Sequence, residues 1–433
     1  MNYYPLSKAS AAVDFKTAAI KGQAPDKSLY FPEYLPVVDK KLLDNIETIP
    51  FEYFAFEVVK PFVGGTIDDE ALRQIVKETI NFPLPLQPIN DSIASLELFH
   101  GPTLAFKDVG ARFMSRCLGY FSKDINKKIT VLVATSGDTG GAVANAFHNV
   151  DGVEVVILYP SGKVSEVQEL QLTTLGGNIK ALEIDGTFDD CQAMVKTAFT
   201  DAEINAHLFL TSANSINVAR WLPQQLYYWF AWKQWKDKTN PPVICVPSGN
   251  FGNICAGMIA WKGGLPVKHF IAACNANDVV PQFLLTGDYN IKQSVATISN
   301  AMDVANPSNF VRILEMLGND VNALKEILSG FTVTDDETKA TIKSVFDKEN
   351  YTLDPHGAVA YNALQHWVSE HPTDKGIILE TAHPVKFPDT VEECIGEKLN
   401  IPEQVQYLFS LEKESTKMKA DYNAFKKWLL ENA

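Results

Sequence analysis

The chain has 433 residues, of which 46% are hydrophobic and 21% charged, and carries a formal net charge of −14 at pH 7. That length exceeds one ordinary core and the composition is that of a globular protein, so two or three packed domains are expected. The acidic balance excludes a general nucleic-acid surface and an anionic membrane as partners, though not a small anion held by a local cluster of donors.

The N-terminal MNYYPLSKASAAVDF lacks a basic start followed by an apolar run, and no window approaches the roughly 18 apolar residues of a membrane span. The six cysteines are scattered, with no CxxC and no zinc-like spacing, as expected of buried thiols in a reducing compartment. A soluble, cytoplasmic protein without a metal site is expected.

In chain order, residues 1–94 read as a mostly helical segment with Pro-rich turns, in which DDEALRQIVKETINF (68–82) is the clearest helix. SLELF (95–99) reads as a strand and HGPT (100–103) as a turn, and an apolar-periodic helix begins at Lys107. Regular alternation follows: strand 129–134, the TSGDTGG turn with a helix from Ala142, strand VEVVILY, helix VSEVQELQLTTLG, strand NIKALEI, helix DDCQAMVKTAF and strand HLFLT. Strands that are apolar throughout and alternate with helices indicate a parallel sheet covered on both faces.

After an amphipathic, Trp-rich segment (223–235) the alternation resumes with PPVICVP, a helix after SGNFGN, and HFIAACN, and GIILE near residue 380 closes this second unit. The terminal SLEKESTKMKADYNAFKKWLLENA reads as a charged amphipathic helix packed on the surface. Three divisions are therefore expected. Residues 1–94 pack on the catalytic domains, 95–215 form an α/β domain with Lys107 and the SGDTGG loop, and 216–433 form a larger α/β domain with the GNFGN loop and the C-terminal helices.

Lys107 stands at a strand-to-helix junction, where the positive helix end and burial both disfavour its ammonium form and leave an amine able to form a Schiff base. Two glycine-rich turns share the arrangement of strand before and helix after. Ser248, Gly249, Asn250, Phe251, Gly252 and Asn253 bring several backbone N–H groups to a helix N-terminus, which suits a phosphate, although the motif is neither a P-loop nor GxGxxG. The hydroxyls and N–H groups around Ser136, Asp138 and Thr139 suit a carboxylate or a ring oxygen. Both turns lie at carboxyl ends of strands, where open α/β sheets bind ligands. Thr381 follows an apparent strand in the same way. Arg220 is one of only five arginines, and with Ser215 and Asn217 it forms a candidate anion fork. His356 and His383 have no ligand-like spacing and read as structural residues.

In order and wording, HGPTLAFKD, TSGDTGG, TSANSIN with its arginine, SGNFGN and TAHPVKF resemble the threonine synthases, members of the fold-type II pyridoxal-phosphate enzymes. The resemblance runs from YFPEYLP to about residue 400. It implies two parallel-sheet α/β domains with an N-terminal helical segment, and pyridoxal 5′-phosphate as cofactor. By the same resemblance Lys107 would hold the cofactor, Ser248–Asn253 its phosphate, Asp138 would lie beside the ring 3-oxygen, and Thr381 would meet the pyridine nitrogen. The activity implied is conversion of O-phospho-L-homoserine and water to L-threonine and phosphate, by a monomer or homodimer. Two other readings stay open: another fold-type II lyase or dehydratase on a related amino acid, and a catalytically silent cofactor-binding homologue. Ala305 and Gly357 depart from the family wording, where Gly and Thr are expected.

Overall fold

The computed structural model describes residues 1–123, 125 and 127–433. Its strands, in chain order, are β1 (Asn2–Pro5), β2 (Val13–Asp14), β3 (Tyr30–Pro32), β4 (Leu86–Pro88), β5 (Ile93–Glu97), β6 (Ile129–Ala134), β7 (Val153–Pro160), β8 (Ile179–Asp185), β9 (Phe209–Ser212), β10 (Val243–Pro247), β11 (His269–Cys274), β12 (Leu328–Thr332), β13 (Gly376–Glu380) and β14 (Thr416–Lys419). A larger sheet runs β12-β11-β10-β13-β5-β4, parallel except for β4, and a smaller, wholly parallel sheet runs β14-β8-β7-β6-β9. The inner strands are buried along their whole length, as the apolar runs require of sheets covered on both faces. Among the described residues no helix is long and apolar enough to cross a membrane.

The sheets are not contiguous in sequence. β5 straddles the expected boundary at residue 94 and pairs with β13 in the larger sheet, while β14 returns from the far end of the chain to β8 in the smaller one. The divisions at 94/95 and 215/216 therefore do not follow the sheets, because membership is set by long-range pairing that no local pattern reveals.

Residues 1–94 hold more helix than strand, with short strands that were not expected. The antiparallel β2-β1-β3 sheet precedes the helices Phe51–Val63 and Asp69–Thr79, and its strands, two to four residues long, are too short to show alternation. This segment lies against the helix Lys107–Ser122, where Phe15 packs on Phe113 and Phe121 at 6.4 and 6.3 Å between ring centroids. The Trp-rich helix is Gln225–Gln234, and it is buried on nearly every side rather than amphipathic. Phe51, Phe54 and the helix Gly252–Lys262 enclose it, and Tyr228 donates its hydroxyl hydrogen to the Asn253 carbonyl at 2.9 Å. The terminal segment is also only half helix: TKMK forms β14, and Tyr422–Asn432 buries Phe425 and Leu429 against the smaller sheet's outer layer.

Candidate active site

Lys107 is the first residue of its helix, and the chain just before it is clamped to the segment after β13. Ala105 bridges Ala382, the Phe106 N–H donates to the Thr381 carbonyl at 2.8 Å, and the His383 N–H donates to Leu104 at 3.0 Å. Tyr227 donates its hydroxyl to the Phe106 carbonyl. These bonds bring Lys107 and Thr381 together, although they lie far apart in sequence. Leu104 adopts φ +59, a left-handed conformation costly for a branched side chain, and it does so between the HGPT turn and the lysine.

Lys107 Nζ lies 3.6 Å from Asp138 Oδ2, with 16% of the side chain exposed. Asp138 opens the helix Asp138–Phe147, so the SGDTGG turn is already helical four residues before the expected start at Ala142. Burial opposes ionisation of Asp138, but Lys386 and Lys107 overcome it and hold the carboxyl well below its ordinary range. Burial also lowers the Lys107 pKa; Asp138 pulls it back up, while Lys386 and Arg220 push it further down. Ser136 and Thr139 lie half-buried on this turn, and the Thr135 hydroxyl shapes it by accepting from the N–H groups of Gly137 and Gly140 at 3.0 and 2.9 Å.

The second turn follows β10. Ser248 does not offer its N–H to a ligand, because that group donates to Ala273 at 2.8 Å and its hydroxyl donates to Val246 at 2.8 Å. Beyond it, the backbone N–H groups of Gly249 through Asn253 have no protein acceptor among the described residues. Phe251 sits at φ +60 and supports the turn by packing on Phe310, 5.7 Å away. The Asn250 side chain organises the loop: Nδ2 donates to Ser215 Oγ at 2.6 Å and Oδ1 accepts from Ser308 N–H at 2.6 Å.

This cradle fits a phosphate on two observations. A Cβ at Gly249 would come within 2.7 Å of Met302 Cα, so only glycine leaves the floor of the turn open. Asn253 Nδ2 is buried without a partner, an orphan donor that suits an anion.

Arg220 is 3% exposed; one guanidinium nitrogen donates to the Ala213 carbonyl at 2.8 Å, Nε has no partner, and no carboxylate pairs with it among the described residues. Burial lowers its pKa to about 10. Of its expected companions, Ser215 accepts from Asn250 in the turn after β10. Asn217 is no ligand donor: its Nδ2 donates to Ala19 and Ser212 carbonyls at 2.8 and 3.2 Å and its Oδ1 caps a short helix by accepting from Ala219 N–H. The anion fork expected from the spacing thus reduces to Arg220.

Three family profiles cover the chain: "Threonine synthase N terminus" over residues 2–80, "Pyridoxal-phosphate dependent enzyme" over 87–379, and "Threonine synthase, C-terminal" over 357–429. Threonine synthase of Escherichia coli (strain K12) is 43% identical over 431 residues, with 99% of each chain covered. That of Saccharomyces cerevisiae is 36% identical, covering 94% of this chain and 93% of its own. The chain belongs to the threonine synthase family. Crystal structures of E. coli threonine synthase (TM-score 0.93, 43% identity, both chains fully covered) and of PLP-bound threonine synthase from Brucella melitensis (TM-score 0.94, 34% identity, 100% and 99% covered) share its fold. A threonine deaminase from Solanum lycopersicum, 18% identical at TM-score 0.57 over 77% of this chain, shares the fold-type II architecture alone. Like the rest of the family, this chain is a pyridoxal-phosphate-dependent lyase.

Three site residues escaped the reading of the sequence. Lys386, in the quoted TAHPVKF, is fully buried, with Nζ 2.8 Å from Asp138 Oδ1 and donating to the Thr103 carbonyl at 2.8 Å. Gln168 Nε2 donates to Asp138 Oδ1 at 2.9 Å, and Asp108 accepts from Thr103 N–H at 2.9 Å and its hydroxyl at 2.5 Å. Lys386 and Asp108 each lie inside a quoted motif, TAHPVKF and HGPTLAFKD, which was the available signal; Gln168 carried none. Of the departures from the family wording, Gly357 has a structural reason: the buried Glu380 carboxyl fills the space a side chain there would need. The structure supplies no reason for Ala305.

Proposed function

We propose that this chain converts O-phospho-L-homoserine and water to L-threonine and inorganic phosphate. Pyridoxal phosphate, when bound, supplies the electron sink that lets substrate C–H bonds next to the amine ionise. The chain's own contributions follow from the placement of its side chains. Lys107 is the cofactor lysine, and its amine is the group that moves protons at the substrate's Cα and Cβ, which the same face of one bound molecule presents in turn. Asp138, held ionised, faces that amine; Thr381, fixed by the bond between Phe106 and its carbonyl, offers a neutral hydroxyl to the ring nitrogen. The N–H groups of Gly249 through Asn253 take the cofactor phosphate, which leaves a second anion to be held elsewhere.

The observation that carries the choice of substrate is Arg220, a buried guanidinium with an unpartnered Nε and no ion-paired carboxylate among the described residues, Asp108 acting on it only from beyond contact. A buried cation with no carboxylate in contact is costly unless an anionic ligand supplies the counter-charge, and the substrate's γ-phosphate is that anion. The test is turnover of O-phospho-L-homoserine by the purified enzyme, followed through both phosphate and threonine. A charge-assisted bond of about 1.5–3 kcal/mol predicts that Arg220→Ala loses about ten- to a hundredfold in kcat/KM while keeping its cofactor. Equal turnover by Arg220→Ala, or more efficient deamination of serine or threonine than consumption of the phosphate ester by the parent, would shift the reading to a dehydratase.

A further inference from the structure

Two lysines share one carboxylate in this site, and they share it unequally. Lys386, with no exposed surface, sits 2.8 Å from Asp138 Oδ1, whereas Lys107 stands 3.6 Å from Oδ2. Lys386 is also fixed from the opposite side, by the Thr103 carbonyl, whose own turn is pinned by Asp108. Gln168 completes the shell on Oδ1.

Charge balance then decides the state of Lys107. With only Lys107 beside it, a buried Asp138 would hold that lysine as its ammonium partner, and an ammonium has no lone pair with which to attack an aldehyde. With Lys386 present, the Asp138–Lys386 pair is neutral by itself, and a proton on Lys107 would leave an uncompensated buried positive charge. The groups facing Lys107 add to this imbalance: Arg220 is a further cation, Asp138 is the one carboxylate near Lys107 among the described residues, and Asp108 is turned onto Thr103.

We propose that Lys386 is a positioning residue for the reaction: by taking up the charge of Asp138 it leaves the Lys107 amine uncharged and reactive. This rests on Lys107 being the cofactor lysine, and it predicts a property of the chain that is measurable with no cofactor bound.

The experiment is acetic anhydride labelling of the cofactor-stripped full-length protein across a pH series, with acetylation of Lys107 read by peptide mass spectrometry. In Lys386→Met the midpoint of Lys107 labelling should rise by about 1–3 pH units, the size expected when a neighbouring carboxylate is left to one lysine. Adding Asp138→Asn to Lys386→Met should bring the midpoint back toward the parent's, because the ammonium then loses its counter-ion. Lys386→Arg, which keeps the charge, should stay close to the parent. A Lys386→Met curve that overlays the parent's, or a double variant that stays at the raised midpoint, would overturn the proposal. So would failure of both Lys386→Met and Lys386→Arg to hold the native fold, which would assign Lys386 to packing. Borohydride trapping of the cofactor on Lys107 is a separate measurement, so an error in the anchor and an error in the role of Lys386 give different results.

Discussion

Gly249 and Gly252, in the proposed phosphate loop, should respond differently to the same added methyl group. A Cβ at Gly249 would meet Met302 Cα at 2.7 Å and the Ala301 carbonyl at 3.0 Å, whereas one at Gly252 would meet Asn309 Nδ2 at 3.3 Å and Ser215 Cβ at 3.4 Å. An ordinary contact starts near 3.4 Å, so Gly249→Ala demands that backbone move by roughly 0.7 Å (3.4 less 2.7) and Gly252→Ala demands almost nothing. The wall behind Gly249 cannot yield easily. The Ala301 N–H donates to His356 Nε2 at 3.2 Å, His356 Nδ1 donates to Asp354 at 2.5 Å, and Asn275 holds the Ser299 hydroxyl at 3.1 Å. Overpacking of this kind costs about 1–3 kcal/mol. If it falls on the bound shape of the loop, Gly249→Ala should hold pyridoxal phosphate about five- to 150-fold more weakly. Gly252→Ala should stay within about twofold, since alanine at a helix start relieves backbone entropy. The assay is a fluorescence titration of pyridoxal phosphate into cofactor-stripped protein in the Lys107→Ala background, where covalent capture does not mask the non-covalent hold. Equal weakening in both variants, or in neither, would refute the claim that the loop's close approach to Met302 shapes the phosphate site.

In the holoenzyme, Lys107→Ala should abolish borohydride-fixed cofactor, and a label that persists on another lysine would move the anchor. Gly357→Ala should destabilise the fold by about 1–3 kcal/mol because its methyl overlaps the Glu380 carboxyl. In a Glu380→Ala background that cost should vanish, and a double-mutant cycle in urea with coupling below about 0.5 kcal/mol would disprove the overlap. Burial lowers the His269 pKa to about 4, against a weaker upward pull from its surroundings, among them Asp374. The unfolded chain therefore takes up a proton that the folded chain refuses, and stability is lost as pH falls from about 6.5 to about 4. His269→Gln should flatten urea midpoints across that window, by at most about 1.4 kcal/mol per pH unit less what solvent screening removes. An unchanged slope would place the titration elsewhere.

Much of this protein is legible in the sequence because the signals are local. The start of the Lys107 helix, the apolar strands from Ile129 to Glu380, and the two glycine-rich turns at strand ends depend on residues within a turn or two of each other, and each is present, although the helix after the first turn begins at Asp138 and not at Ala142. The short strands of the first 32 residues left no period to read, and the burial of Gln225–Gln234 on nearly every side reflects neighbours drawn from residues 51–54 and 252–262. Only the tertiary structure decided the rest of the site. The pairing of β5 with β13 and the clamp of Phe106 on Thr381 bring Lys107 to Thr381, and the TAHPVKF turn carries Lys386 onto Asp138. Folding also committed Asn217 to the carbonyls of Ala19 and Ser212, and Ser215 to Asn250, and left Arg220 without an ion pair among the described residues. Which polar atoms are satisfied by the protein, and which remain open to a ligand, depends in part on contacts between segments distant in sequence, such as Asn217 with Ala19 and Lys386 with Thr103, and such contacts leave no periodic trace in the chain.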